Sequence, residues 1–220
     1  MRILTTFVLL APALLGAEQA AQRLDDAAAV FSEIMAAPDK GIPRDLIDRA
    51  HCVVIVPGLK KGAFVVGAKY GKGFVSCRQA GAWSAPAAVR VEGGSVGFQI
   101  GGSETDVVML VMNERGAGRL LGDQFSLGGE GEVAAGPVGR DASAQTDARM
   151  TAEILSYSRS HGIFAGISLQ GATLRQDLDD NAALYGRRLT NREIVRGSVA
   201  PPPAAARLVE ELDRYSPYVK

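Results

Sequence analysis

Histidine and cysteine are scarce in this chain, two of each in 220 residues, and net charge is absent, 24 basic residues balancing 24 acidic ones. With only His51 and His161, and no H-E-x-x-H spacing, no zinc site is expected. A chain without net charge has no global basic field, so nucleic acid is set aside as a partner. The long apolar run at residues 3–15 falls short of a comfortable bilayer span. What the composition does allow is one domain with appendages, and 47% hydrophobic residues are enough for a real core.

The N-terminus carries a signal of its own. Arg2, the apolar run and Gly16-Ala17 match the three regions of a secretory signal peptide, with cleavage expected near Ala17. Ala17, not cysteine, follows Leu14-Leu15-Gly16, so no lipid anchor is expected. The mature chain is then periplasmic or secreted, where a disulfide between Cys52 and Cys77 is permitted. Both lie in strand-like segments. Direct strand neighbours allow a bridge and an intervening strand forbids it; the expectation is free, buried thiols.

Helical spacing of Leu24, Ala28, Phe31, Ile34 and Met35 predicts an amphipathic helix over 18–37, and Pro43 opens a short one over 43–50. Apolar or alternating runs predict strands over 52–56, 63–70 and 74–78, with Pro57-Gly58 closing the first and Gly71-Lys72-Gly73 as a turn. Residues 83–91 read as an edge strand, because Pro86 interrupts them. The stretch 93–113 reads as a hairpin. Val96, Phe98 and Ile100 alternate in its first arm, residues 107–112 have no polar face, and residues 101–106 are turn chemistry. An arm without a polar face must be covered on both sides. Further helices are predicted over 114–121, 178–184 and 191–195, with a strand over 163–169; residues 152–158 fit either type. After the stiff Pro201-Pro202-Pro203 spacer comes a last amphipathic helix with Leu208, Val209 and Leu212. The fold class is α+β: a curved, mainly antiparallel sheet or partly closed barrel or sandwich, with helices at both termini.

Several motifs invite a chemical reading, and each has a simpler one. Gly93-Gly94-Ser95-Val96-Gly97 fits G-x-S-x-G, but a nucleophile elbow turns from strand into helix, and this motif runs into a strand. Gly128-Gly129-Glu130-Gly131-Glu132 lacks the Lys-Ser or Lys-Thr ending of a phosphate loop and carries two carboxylates. Asp177, Asp179 and Asp180 miss the spacing of a calcium loop and suit the first turn of a helix. His51 and Cys52 are adjacent, so a strand points them to opposite faces and they make no nucleophile–base pair. No catalytic residue, cofactor or metal is expected, and the chain reads as a non-enzyme.

Basic residues are concentrated locally. Lys60, Lys61, Lys69, Lys72 and Arg78 fall in the first strands and turns, while acidic residues are missing between His51 and Val91. A positive surface there attracts anionic headgroups, each basic residue near such a surface contributing about 1 kcal/mol. These five are the candidate lipid-binding residues. The simpler alternative is that the lysines guard sheet edges and solubilise turns.

Ala50-His51-Cys52-Val53-Val54-Ile55-Val56-Pro57, Lys61-Gly62-Ala63-Phe64-Val65-Val66-Gly67, Gly71-Lys72-Gly73 and Trp83-Ser84-Ala85-Pro86 resemble the SYLF lipid-binding domain family, described as an actin-binding domain in its fungal members. Ser95-Val96-Gly97-Phe98-Gln99-Ile100-Gly101, Ala135-Gly136-Pro137-Val138-Gly139-Arg140 and Tyr157-Ser158-Arg159-Ser160 extend the resemblance. Gly162-Ile163-Phe164-Ala165-Gly166-Ile167-Ser168-Leu169 and Leu184-Tyr185-Gly186 complete it, over about residues 20–197. Gln170 and His161 depart from the family's usual glutamate and basic residue. The resemblance implies binding to membrane lipids, phosphoinositides in eukaryotic members, with no catalytic step, and bacterial relatives that look exported. The sequence therefore divides into a signal peptide (1–17), a SYLF-like domain (18–197) and a Pro-rich spacer with a C-terminal helix (198–220). The expected function is a non-enzymatic envelope protein that is peripherally associated with an anionic phospholipid surface. The alternative is a periplasmic interaction or scaffold module with a protein partner.

Overall fold

Residues 52–56 are buried on both sides of their strand, and this sets the architecture: one apolar face needs helices against it and the other needs a second layer. The structure, a computed structural model, describes residues 11–37, 41–63, 66–96, 101–129, 133–137, 152–160, 163–166, 169 and 171–217. Helices α1 (Ala11–Ala36) and α2 (Arg44–Arg49) precede strands β1 (Cys52–Ala63), β2 (Val66–Gln79), β3 (Ala82–Trp83), β4 (Ala87–Val96) and β5 (Gly101–Val111). Helix α3 (Glu114–Leu120) leads to β6 (Gln124–Ser126), β7 (Val133–Ala135), β8 (Ile154–Ser160), β9 (Ile163–Gly166) and β10 (Ala172–Gln176). Helices α4 (Leu178–Tyr185), α5 (Asn191–Arg196) and α6 (Ala206–Tyr215) close the chain, with a 3-10 turn at Pro203–Ala205.

The strands form one strongly curled half-barrel, ordered β6-β10-β4-β2-β1-β5-β8-β7, with β3 attached to β2 and β9 to β8. Among the described residues every pairing is antiparallel except β7 with β8. The α+β class with helices at both ends is as expected. On the outer face α1, α2 and α6 bury Leu24, Phe31, Leu46 and Leu208 against Val53, Ile55, Phe74 and Val108. The concave face is filled by Val54, Val56, Val75, Val107 and Met109 with Phe125, Leu120 and Ile194.

The stretch 93–113 is not a hairpin. β4 pairs with β2 and β10, β5 pairs with β1 and β8, and the β1–β2 hairpin lies between them. An apolar strand such as β1 needs ladder partners on both edges, and the central place supplies them. Residues 101–106, expected as a turn, begin β5; Phe98 and Ile100 lie outside the described residues.

Nor do Pro57 and Gly58 end a strand. They make a bulge inside β1, where the register with β2 shifts between Ile55 and Lys60 and that with β5 between Val56 and Leu59. Proline has no N–H and Gly58 has φ +58, both tolerated where ladder bonds are interrupted. The Gly58 N–H donates instead to Asp106 Oδ1 at 2.9 Å. Gly71-Lys72-Gly73, expected as a turn, lies within β2 alongside this bulge. Pro86 precedes β4 and does not interrupt it, so β4 keeps its ladder N–H groups and is interior, not an edge.

Cys52 and Cys77 face one another on neighbouring β1 and β2 and are joined in a disulfide. The expected free thiols are corrected for a simple reason: no strand intervenes. Residues 154–160 are strand, and β10, for which the sequence pattern carries no expectation, has buried Ala172 and Leu174 in alternation.

Candidate functional site

Past the bulge, β1 and β2 continue as an arm of the sheet, residues 59–63 and 66–71, flanked along its length by β5 and β4. Lys60, Gly62, Ala68 and Tyr70 are exposed there, Tyr70 at 47%. Strand alternation divides the arm's side chains. Leu59 belongs to the concave cluster, so Lys61 shares that face and Lys60 points outward. Lys61 lies opposite Lys69 on β2 and Ser103 on β5, whereas Lys60 lies opposite Tyr70 and Glu104. Burial, and then the neighbouring Lys69, hold the Lys61 ammonium below the usual lysine pKa. Among the described residues no ion pair joins Lys60, Lys61 or Lys69 to a carboxylate.

Where the arm leaves α1, its outer face borders a groove of about 630 Å3, lined in part by Gln22, Arg23, Asp26, Lys60, Tyr70 and Asp106. Most cations here are neutralised within the fold. Arg159 holds Asp106 at 2.7 Å and also reaches Glu33 of α1. Burial pushes the Asp106 carboxyl above its usual range, with Glu104 and Asp26 adding to the effect and the Gly58 N–H opposing it. Arg23 binds Asp180, which also accepts from Lys72 at 3.1 Å.

Lys72 is therefore structural: its ammonium is 2.8 Å from the buried Asp177 carboxylate. Burial disfavours both charges, but their mutual bonds outweigh it, lowering the Asp177 pKa and raising that of Lys72. Lys72→Met strands a buried carboxylate and is expected to lower stability by about 3 kcal/mol at neutral pH. The sign follows from the two shifts. The depressed Asp177 value makes this contribution full above about pH 4 and lost as pH falls through the folded value; the raised Lys72 value preserves it to about pH 10. Urea unfolding at several acidic pH values should show the two proteins converging. A constant gap at every pH contradicts this assignment.

Arg78 sits at the opposite end of β2. Its guanidinium lies 4.4 Å over the Trp83 ring and bonds the carbonyl and hydroxyl of Ser216, which follows α6. The Ser216 hydroxyl in turn donates to Asp48 at 2.6 Å. Of the five candidate residues the structure thus brings together Lys60, Lys61 and Lys69, and gives Lys72 and Arg78 to internal pairing. A helix-capping aspartate is visible in the sequence, but its pairing with a lysine about a hundred residues earlier is not.

The remaining motifs also find structural uses. Ser95 lies in β4 opposite Gly67, in strand and not at a strand-to-helix turn. Asp177 caps α4 by accepting from the Asp180 N–H at 3.1 Å, as the first-turn reading anticipates. Tyr185 donates its hydroxyl to Pro86 O at 2.6 Å, and burial raises its pKa. Gly186 takes the left-handed position that ends α4. The apolar face of α6 is occupied within the molecule, Tyr215 meeting Phe31 edge-on at 6.0 Å. Among the described residues no helix is long and apolar enough to cross a membrane, and no acidic, histidine or cysteine group is arranged to hold a metal ion. His161, Gln170, Glu130 and Glu132 lie outside the described residues.

A family profile described as "Ysc84: Las17-binding protein actin regulator" matches residues 92–215. The SH3 domain-containing YSC84-like protein 1 of Xenopus laevis is 36% identical over 182 residues, covering 81% of this chain and 54% of that protein. Its Homo sapiens namesake is 35% identical over 190 residues, 84% of this chain and 55% of its own length. LAS seventeen-binding protein 3 of Saccharomyces cerevisiae is 34% identical over 180 residues, 80% of this chain and 39% of its own. The chain spans about half the length of the first two relatives and less of the third. These relatives are named for a domain or for binding a protein, not for a reaction.

Proposed function

This chain belongs to the Ysc84, or SYLF, family, and on that premise we propose that it is a non-enzymatic binding domain that docks on anionic phospholipid through the β1–β2 arm. One observation carries the reading: Lys60, Lys61 and Lys69 lie on this arm of the sheet, Lys60 on one face and the other two on the opposite face, without carboxylate partners among the described residues and beside the exposed Tyr70. Glu104 tempers the charge near Lys60. Three lysines at about 1 kcal/mol each give about 3 kcal/mol, a ~150-fold enrichment at the surface. Tyr70 adds an amphipathic ring suited to the headgroup layer. Binding of this kind is weak, reversible and salt-sensitive.

Location follows as part of the proposal. The Cys52–Cys77 bridge supports an oxidising compartment, periplasmic or secreted. Flotation with neutral and anionic vesicles at low and high salt tests the function. Retention on anionic vesicles alone, lost at high salt, is the expected result; no retention on either removes the lipid reading. The printed name of the yeast relative favours a second reading, a protein-binding module. That reading gains if the chain ignores vesicles altogether.

A further inference from the structure

We infer that Lys61 and Lys69 form a two-ammonium clamp for one phosphomonoester group on the concave side of the arm, with the Ser103 hydroxyl as a neighbouring donor. The inference rests on the proposed membrane docking and specifies which face of the arm reads the headgroup, and by what chemistry.

Like charges placed directly across an antiparallel pair repel, and a fold gains nothing from them unless an anion lies between. Lys61 and Lys69 are such a pair, both half-buried, and burial, then the neighbouring Lys69, lowers the Lys61 pKa. Among the described residues, the carboxylates paired along this stretch of sheet lie on its other face. Alternation from the concave residues Val91 and Val107 places Glu92, Glu104 and Asp106 on the outer face. The concave row instead continues from Lys61 to Ser103, and the next row inward places Thr105 opposite Leu59. The face therefore runs from an apolar floor to hydroxyls and then to two ammonium groups at its mouth.

A phosphomonoester carries nearly two negative charges at neutral pH and three acceptor oxygens, whereas a phosphodiester carries one charge. Two lysines and a hydroxyl match the former, each lysine acting as a compact point charge. Lys60 faces the other way and lies outside the clamp. The phosphate has two sources, a lipid headgroup or a soluble phosphate, and they are separable.

Full-length protein is floated with phosphatidylcholine vesicles containing either phosphatidic acid or phosphatidylglycerol at equal surface charge, in competition with inorganic phosphate. Wild type should prefer phosphatidic acid. Lys61→Gln or Lys69→Gln should each lower that preference about tenfold, the effect of one charge-assisted bond, while Lys60→Gln weakens binding to both anionic vesicles alike and leaves the ratio between them unchanged. Competition by inorganic phosphate assigns the clamp to phosphate from either source; a preference that survives competition assigns it to the lipid. Unchanged melting curves confirm that the partly exposed substitutions fold. Equal binding to both anionic vesicles overturns the clamp and leaves the docking reading standing. An equal loss of the phosphatidic acid preference in Lys60→Gln and Lys61→Gln overturns it too. If wild type binds no vesicle, docking fails, and calorimetry with inorganic phosphate decides the clamp: heat abolished by Lys61→Gln supports it, and no heat from wild type overturns it.

Discussion

Gly73→Val is expected to yield no folded protein, and Gly73→Ala to lose about 3 kcal/mol. A Cβ at Gly73 would stand 2.0 Å from the Ile55 carbonyl oxygen and 2.7 Å from Val56 Cα. Both are backbone atoms, so no side chain can swing aside. Gly73 lies where β2 crosses the Pro57–Gly58 bulge of β1, and the missing side chain lets the two strands bend together. Domains hold only about 5–15 kcal/mol of stability, so forcing these strands apart removes most of it. Gly62→Ala, on the same hairpin, meets nothing within 4 Å and is the control, expected within about 0.5 kcal/mol of wild type. Urea midpoints by circular dichroism settle the matter. A Gly73→Ala midpoint equal to that of Gly62→Ala would show that the bend tolerates a side chain.

The second large effect is loss of the disulfide. Cys52 and Cys77 are 25 residues apart in sequence, and closing a loop of that size restricts the unfolded chain by about 3.5 kcal/mol. Both residues are buried, at 0% and 2% exposure, so the sulfurs meet a reductant only when the strands separate. The Cys52→Ala, Cys77→Ala double variant should be about 3 kcal/mol less stable, with its urea slope somewhat steeper because the unfolded chain is no longer cross-linked. Native protein in mild reductant should stay oxidised while the same protein in urea releases two thiols. An unaltered urea midpoint in the double variant would show that the hairpin holds without its bridge.

What the sequence made legible was local. Helix α1 was visible in the spacing of Leu24, Ala28, Phe31 and Ile34, and the capped start of α4 in Asp177. Long-range pairing was not visible. Sequence adjacency favours a β4–β5 hairpin because consecutive strands usually pair, yet the need of β1 for partners on both edges places β1 and β2 between them. The disulfide was open for the same reason, since it depends on which strand stands next to β1. Five residues with two alternations, at β10, were too short to read between a glycine and a helix. Within the site, the clustering of Lys60, Lys61 and Lys69 was legible as charge density. The removal of Lys72 depended on carboxylates that arrive with α4, and that of Arg78 on a hydroxyl that arrives after α6.

In the proposed docking the arm, and not net charge alone, brings the protein to an anionic surface. Lys60→Glu, Lys61→Glu, Lys69→Glu changes the charge by six and would weaken attraction wherever the true contact lay. Arg187→Glu, Arg188→Glu, Arg207→Glu changes it equally at exposed positions outside the arm. Both variants are to be floated beside wild type with anionic vesicles at low salt. Loss of retention in the arm variant, with the control retained near the wild-type level, is the predicted result; equal losses in the two variants, or an arm variant that still floats, would contradict it.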